Sequence, residues 1–422
     1  MNFELPELVG KDVLFIGKGR EWESFEKFIQ DGIHVRSLMN IYIDDNNREE
    51  TNKKLLSLNM EQTVVVKTSG YPGRFVPVPY TTPTKLFFSC VKQLQARTIG
   101  ITGTKGKTTT TSLLGHILQN AGYDVTVAGN MGKPMLDYLK DATEKSFFVL
   151  ELSSYQLAEL DVSPDIAIIT NLYRDHIDYH GSLEKYWEAK RNIMRYLTNE
   201  NTVIYNPETE MVLHWLAESE AKKMPITVDE QVDMSKSQLI GDHNKLNYLM
   251  ARTAAQMLGV DRFTCQSSLQ SFKPIKHRLQ KVKVVKNVTY IDDAIASQPE
   301  AAIAGITACV RQVGPVGCVM LGGQDRDYDF SELTKLLSTL LIPNIVLFPD
   351  SGAKIKAAFP DEYEPNLLET SSMEEAVNWA AEHSPSGSVC LLSTASPSYS
   401  IWKDFEEKGD QFQKAVEALP IY

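Results

Sequence analysis

Short apolar runs of four or five residues recur along the chain, each closing at a glycine or a polar turn, and stretches of helical spacing separate many of them. Such runs predict strands covered on both faces, and their alternation with helices predicts parallel sheets joined by helical crossovers. Residues 13–16, then Gly17-Lys18-Gly19 and a helical pattern through Ile29, read as the first strand and helix of a small unit. From Thr98 the pattern places strands at 98–101, 124–128, 147–151 and 166–170 and a helix over 109–119. A third series places strands at 288–291, 317–321, 344–348 and 388–392. Turn formers at Ser69-Gly70-Tyr71-Pro72-Gly73, followed by Pro77, Pro79 and Pro83, separate the first two series, and Phe272-Lys273-Pro274 opens the third. The expected fold class is α/β in three domains: a Rossmann-like domain over 1–89, a central parallel-sheet domain over 90–273 and a doubly wound domain over 274–422.

At 422 residues the chain exceeds what one core ordinarily serves, in keeping with that division. A hydrophobic content of 43% beside 23% charged residues is that of a globular protein, with no low-complexity tail or internal repeat. The net charge of -11 argues against a nucleic-acid partner, because neutralising a phosphate backbone calls for a basic face. Cys90, Cys265, Cys309, Cys318 and Cys390 show no CxxC spacing, which points to reduced core thiols rather than zinc ligands or disulfides. Without a signal peptide or an apolar stretch long enough to cross a bilayer, no stable membrane insertion and a cytoplasmic location are expected.

The strand at 98–101 runs into Gly103-Thr104-Lys105-Gly106-Lys107-Thr108-Thr109-Thr110. A strand ending in a glycine turn that opens a helix aims backbone N–H groups and a positive helix end at one point, and a lysine there adds mobile charge. Phosphate is the natural occupant. The general G-x-x-x-x-G-K-[ST] template is missed by one residue, Ile101 standing where its first glycine belongs, which leaves the shorter G-T-x-G-K-T-T. A surface turn rich in Gly, Lys and Thr is the alternative reading. In a parallel sheet the carboxyl ends of the strands share one edge, so this loop, Glu151 and Asn171 are expected to meet there. Glu151 and the Thr108 hydroxyl are oxygen donors of the kind Mg²⁺ takes. In the polar cluster from Asn171 to Ser182, His176 is a candidate metal or phosphate ligand and His180 reads as solvated. The G-x-G of the first domain is only part of a dinucleotide fingerprint, since Trp22 stands at the third glycine and an indole would obstruct close approach to a pyrophosphate.

Three motifs, the phosphate loop, Glu151-Leu152-Ser153-Ser154-Tyr155-Gln156-Leu157, and Asn171 with Asp175-His176-Ile177-Asp178, resemble in correct order the central domain of the Mur ligases. The likeness continues through Tyr186 and Lys190 in Y-W-E-A-K, Gly241-Asp242-His243-Asn244-Lys245-Leu246-Asn247, and His277-Arg278, so it covers nearly the whole chain. The E-L-S-S-Y-Q-L run and residues 404–412 are most similar to the branch that adds glutamate to UDP-N-acetylmuramoyl-L-alanine in peptidoglycan precursor synthesis.

That resemblance implies an ATP-dependent ligase working through an acyl phosphate, with Mg²⁺ as cofactor, the three domains taking the UDP-substrate, ATP and the amino acid in turn, and a monomeric chain. It implies that Gly103, Thr104, Lys105, Gly106, Lys107, Thr108 and Thr109 bind ATP, with Asn244 and Asn247 facing adenine and Arg278 and Asp293 approaching phosphate and ribose. Thr108 and Glu151 would hold one Mg²⁺, and His176 with Lys190, carbamylated in the family, a second. Lys107, Lys190 and His176 would be the catalytic residues. Asn130 and Ser153 would lie by the muramoyl substrate, and Ser297, Arg326, Ser398 and Phe405 by the acceptor.

Three runs depart from the family pattern. Where D-S-K-A-T-N is usual the chain has Asp293-Ala294-Ile295-Ala296-Ser297-Gln298, where a glycine-rich run ends in lysine it ends in Arg326, and S-P-A-C-A-S is replaced by Ser393-Thr394-Ala395-Ser396-Pro397-Ser398. Arg326 can still grip a carboxylate, and Ser297 and Ser398 can still donate hydroxyl hydrogen bonds. A dicarboxylate acceptor fits these groups, and the resemblance favours D-glutamate over L-glutamate. Another Mur or folylpolyglutamate-type ligase and, in a different class, a P-loop NTPase switch are the alternatives.

Overall fold

The structure, a computed structural model, describes residues 3–44, 46–130, 133–226, 232–234, 236–241 and 243–420. The chain divides into two compact units, Met1–Val232 with Leu246–Leu269, and Asp233–Lys245 with Gln270–Tyr422. The first unit holds two sheets. In the smaller, β1 (Asp12–Ile16), β2 (Ser37–Ile41), β3 (Thr63–Lys67) and β4 (Tyr80–Thr81) run parallel in the order β2-β1-β3-β4.

The larger sheet comprises β5 (Arg97–Thr102), β6 (Val125–Gly129), β7 (Phe147–Glu151), β8 (Ile166–Ile169), β9 (Thr202–Tyr205) and β10 (Lys222–Pro225). All are parallel, in the order β10-β9-β8-β5-β7-β6. Strand β8 reads Ile-Ala-Ile-Ile and is buried throughout, as a strand covered by helices on both faces must be. The register pairs Ile101 with Glu151 and Thr102 with Ile169, so the residues that follow β5, β7 and β8 emerge side by side at one edge.

The two layers of this unit share a core through the helix Pro83–Leu94. The Thr82 hydroxyl caps it by accepting from the Lys85 N–H at 3.2 Å, and Pro83 takes a first-turn position where a missing N–H costs nothing. Phe87 on its buried face meets Phe148 of β7 edge-on, centroids 5.1 Å apart, and the same cluster reaches Phe15 and Phe25 beside the smaller sheet. Each such ring contributes about 2 kcal/mol by leaving water. The expected boundary between residues 89 and 90 falls inside this helix.

In the second unit β11 (Gln280–Val285), β12 (Val288–Asp292), β13 (Val316–Gly322), β14 (Asn344–Phe348), β15 (Asn366–Glu369) and β16 (Val389–Leu392) form a sheet in the order β11-β12-β16-β13-β14-β15. Its edge strand β11 is antiparallel to β12, a feature the apolar pattern did not predict because the lysine-bearing run of β11 is only partly buried. Lys286 and Asn287 make the turn between them, both at positive φ (48° and 61°), as tight hairpins require. The other neighbours are parallel, which sets the carboxyl ends of β12, β16 and β13 next to one another. All five cysteines are free and buried, as expected.

Candidate active site

At the end of β5 the chain turns through Gly103 (φ 145°) and Gly106 (φ 85°) into the helix Lys107–Asn120. A Cβ on Gly103 would lie 1.9 Å from Thr170 Oγ1, and one on Gly106 would lie 2.5 Å from Asn247 Oδ1, so both positions need glycine. Asn171, just beyond β8, anchors the loop twice: its carbonyl accepts from Thr104 N at 2.8 Å and its Oδ1 from Lys105 N at 2.9 Å. The Thr104 hydroxyl accepts from Tyr173 N at 2.9 Å and lies 2.9 Å from the Tyr186 hydroxyl. Two of the loop amides expected at phosphate thus bind protein, and Thr109 is buried. The first turn of the helix still offers N–H groups without intrahelical acceptors, the kind of donor that suits an anion. The Lys107 ammonium lies back over the loop, donating to the Gly103 and Thr104 carbonyls at 3.0 Å each.

Glu151, at the end of β7, is 2% exposed. Asn130 binds it through two contacts, N to the Glu151 carbonyl at 2.8 Å and Nδ2 to Oε1 at 3.1 Å. Oε2 has no hydrogen-bond partner. A buried carboxylate oxygen left in that state is costly, and a hard cation would satisfy it, so the residues fit Mg²⁺. Among the described residues no three His, Cys, Asp or Glu side chains converge as a ready-made cage. A cation here would draw further oxygens from phosphate, water and a hydroxyl such as that of Thr108.

Lys190, on the helix Leu183–Arg195, is equally buried and donates to the Gly103 carbonyl at 2.8 Å, with Thr102 Oγ1 at 3.4 Å and the Tyr186 ring centroid at 5.0 Å. Burial, reinforced by the Lys107 charge, pushes its pKa well below the usual lysine value against the opposing pull of Asp175 and Glu151. His176 stands in the same field. Its Nδ1 is 2.9 Å from the Tyr155 hydroxyl and its Nε2 is 3.5 Å from Asp175. Burial lowers its pKa first, Asp175 opposes, and Lys190, Lys107 and Lys105 lower it further. The strand edge therefore brings together the loop, Glu151, Asn130, His176 and Lys190.

The expectation for His180 needs correction. His180 is not solvated: it is 7% exposed, its Nε2 lies 2.9 Å from Ser154 Oγ, and burial lowers its pKa to about 4. The Ser153 hydroxyl caps the short helix Ser154–Leu157, accepting from Gln156 N at 3.3 Å while Gln156 Oε1 accepts from Ser153 N at 3.0 Å, a local role that any substrate contact must share. Trp22 packs against the core, its ring centroid 5.3 Å from that of Phe15. Two further residues make contacts that no sequence motif marks. Glu21 accepts from Ser69 N and Ser69 Oγ at 3.0 Å each and from the Thr68 hydroxyl, tying the first turn of the helix Arg20–Gln30 to the loop after β3. Lys67 is fully buried 3.7 Å from Glu159, its pKa lowered by burial. Neither has a local signal, because partners and burial come from remote segments.

Asn247 of the first unit lies against Gly106. Asn244, in the second unit, donates its side-chain amide to the Ile240 carbonyl at 2.7 Å, and Asp242 lies outside the described residues. Also in the second unit, Asp293 is buried and accepts from Ser393 Oγ at 2.8 Å and Leu279 N at 3.2 Å, and burial raises its pKa to about 7. Arg278 is half-buried nearby. The loops carrying Ser297, Arg326 and Ser398 are joined by Ala395 N to the Ala296 carbonyl at 3.0 Å and Gln324 N to the Pro397 carbonyl at 2.7 Å. Arg326 is exposed and donates to Gln324 Oε1 at 2.8 Å, Ser297 is half-buried, Ser398 is buried, and Phe405 presents its ring 6.3 Å from that of His277.

A glycine loop opening a helix at the edge of a parallel sheet, with a partnerless buried carboxylate beside it, defines a nucleotide-phosphate-binding α/β protein. Residues 101–233 match the Mur ligase middle domain. The UDP-N-acetylmuramoylalanine--D-glutamate ligase of Streptococcus thermophilus is 32% identical over 347 residues, covering 77% of this chain and 75% of that protein. Its counterpart in Natranaerobius thermophilus is 30% identical over 349 residues, again 77% and 75% of the two chains. The chain belongs to the Mur ligase family. In fold it is similar to MurF ligase of Thermotoga maritima, solved in complex with ADP, with a TM-score of 0.63 at 18% identity over 99% of this chain and 98% of that one. UDP-N-acetylmuramate-alanine ligase MurC of the same organism gives a TM-score of 0.62 at 19% identity, covering 96% and 99%.

Proposed function

We propose that the protein joins D-glutamate to UDP-N-acetylmuramoyl-L-alanine at the expense of ATP, in peptidoglycan precursor synthesis in the cytoplasm. The observation that carries this reading is the unpartnered Glu151 Oε2 beside the phosphate loop, in a chain whose relatives are named for that ligation. Lys107 exchanges its loop carbonyls for the β- and γ-phosphates, and the helix N-terminus supplies further donors. The substrate carboxylate attacks the γ-phosphorus, the β–γ bridge breaks with ADP as leaving group, and an acyl phosphate results. The amino group of glutamate attacks that carbonyl, and the tetrahedral adduct collapses to the amide and phosphate. No covalent enzyme adduct forms, so positioning and charge neutralisation carry the rate. Held by Thr108 and Glu151, Mg²⁺ would supply neutralisation of phosphate charge.

Burial lowers the Lys190 pKa and so favours the uncharged amine, the form that adds carbon dioxide. The resulting carbamate and His176 would form the second cation site. Asn130 and Ser153 border the muramoyl substrate, and Asn244, Asn247, Arg278 and Asp293 serve the nucleotide. Arg326 takes a carboxylate of the acceptor with its planar fork, aided by Ser297, Ser398 and Phe405. The test is phosphate release measured with each substrate left out in turn. Release that needs both UDP-N-acetylmuramoyl-L-alanine and D-glutamate is expected. Release with ATP alone, with L-glutamate in preference, or only with a folate would sink the assignment.

A further inference from the structure

Lys408 is a lysine with no exposed surface, on the helix Phe405–Ala418. Its ammonium donates to Thr394 Oγ1 at 2.5 Å and stands over the Trp402 ring at 5.8 Å. Its pKa falls to about 7 through burial, with Asp292 and Asp293 pulling the other way. Isolating a cation at such a depth is expensive, so what it holds matters.

Thr394 answers that. Because the ammonium occupies the oxygen as acceptor, the Thr394 hydroxyl proton is turned outward, toward the Ser396 carbonyl at 3.0 Å or the Ala296 carbonyl at 3.3 Å. Those carbonyls belong to the two loops bearing Ser398 and Ser297. Between them Ala395 sits at φ 56°, a left-handed conformation that a buried alanine keeps only when its surroundings impose it. The Arg326 loop leans on the same segment, Gly322 N donating to the Thr394 carbonyl at 2.8 Å, and so does the loop after β14, whose Ser351 Oγ lies 2.7 Å from Ser396 Oγ.

We infer that Lys408 is a positioning residue for the acceptor amino acid, its ammonium fixing through Thr394 the strained loop 393–398 against the loops of Ser297 and Arg326. This rests on the proposed function, which assigns the acceptor to those loops.

The experiment compares Thr394→Val, Thr394→Ser, Lys408→Met and wild type, reading KM for D-glutamate, ATP and UDP-N-acetylmuramoyl-L-alanine, together with hydrogen exchange over residues 393–398. Thr394→Val and Lys408→Met should raise the KM for D-glutamate about tenfold or more, leave the other two KM values within about twofold, and speed exchange in the loop. Thr394→Ser keeps the hydroxyl and should keep wild-type values. An unchanged glutamate KM in Thr394→Val, or a parallel rise in all three KM values, overturns the positioning role. If Lys408→Met does not fold, the Thr394 pair decides. A wild type inactive with glutamate refutes the functional reading instead, and the exchange data then judge the coupling on their own: unchanged exchange in Thr394→Val overturns it.

Discussion

The Lys190 ammonium donates to the Gly103 carbonyl across 2.8 Å, and its other acceptor, Thr102 Oγ1, is also uncharged. Burial therefore outweighs the more distant Asp175 and Glu151 in setting its protonation. A lysine held this way stabilises the fold poorly, and perturbed groups of this kind concentrate at functional sites.

Lys190→Met should reduce ligation by at least about a hundredfold while leaving the melting temperature equal to or above that of wild type, since an apolar chain of similar length replaces a buried amine. Turnover assays alongside thermal melts check both parts. A large fall in melting temperature would assign the residue to stability.

Lys107→Ala removes the cation lying over the phosphate loop. Turnover should vanish and ADP binding weaken by about a hundredfold, the scale of a charge-assisted contact of roughly 3 kcal/mol. Calorimetric titration with ADP provides the measurement, and wild-type affinity would refute the role.

Glu151→Gln keeps the shape and can keep an oxygen for Asn130, but removes the charge that a cation needs. The Mg²⁺ concentration for half-maximal turnover should rise about tenfold or more, with stability unchanged or improved because Oε2 is unpartnered in the wild type. Magnesium titrations of both proteins decide this.

His180 should give stability a pH dependence. Its folded pKa is about 4 against 6.5 when unfolded, so between these values the unfolded chain binds the extra proton. Stability from this group is intact above pH 6.5 and is lost as pH falls toward 4, by at most about 3 kcal/mol. Asp293 acts in the opposite sense, its raised pKa of about 7 making stability fall as pH rises from 3.8. The informative quantity is thus the difference between His180→Asn and wild type in urea unfolding at pH 4.5 and 7.5. That difference should shift in favour of the variant at the lower pH, and an identical difference at both would contradict the buried neutral imidazole.

The phosphate loop, the strands on either side of it and the convergence of Glu151 with Asn171 were legible in the sequence because each follows from contiguous residues or from the common direction of parallel strands. Helix and strand periods gave most of the sheet. Residues that met at that edge needed only their position at a strand end. The tie between Ser153 and Gln156 was also local, but a motif read for chemistry hid its capping role.

Local sequence determined where the glycines, the cation and the carboxylate of the phosphate site stand, since backbone turns and strand ends are set over a few residues at a time. Tertiary structure alone decided that Lys190, Lys408 and Lys67 are buried, that His180 is neutral, that Glu21 clasps the loop after β3, and that the second unit ends in an antiparallel edge. Desolvation is a property of what packs around a group from distant parts of the chain, and a lysine in a sequence carries no mark of the water it will lose.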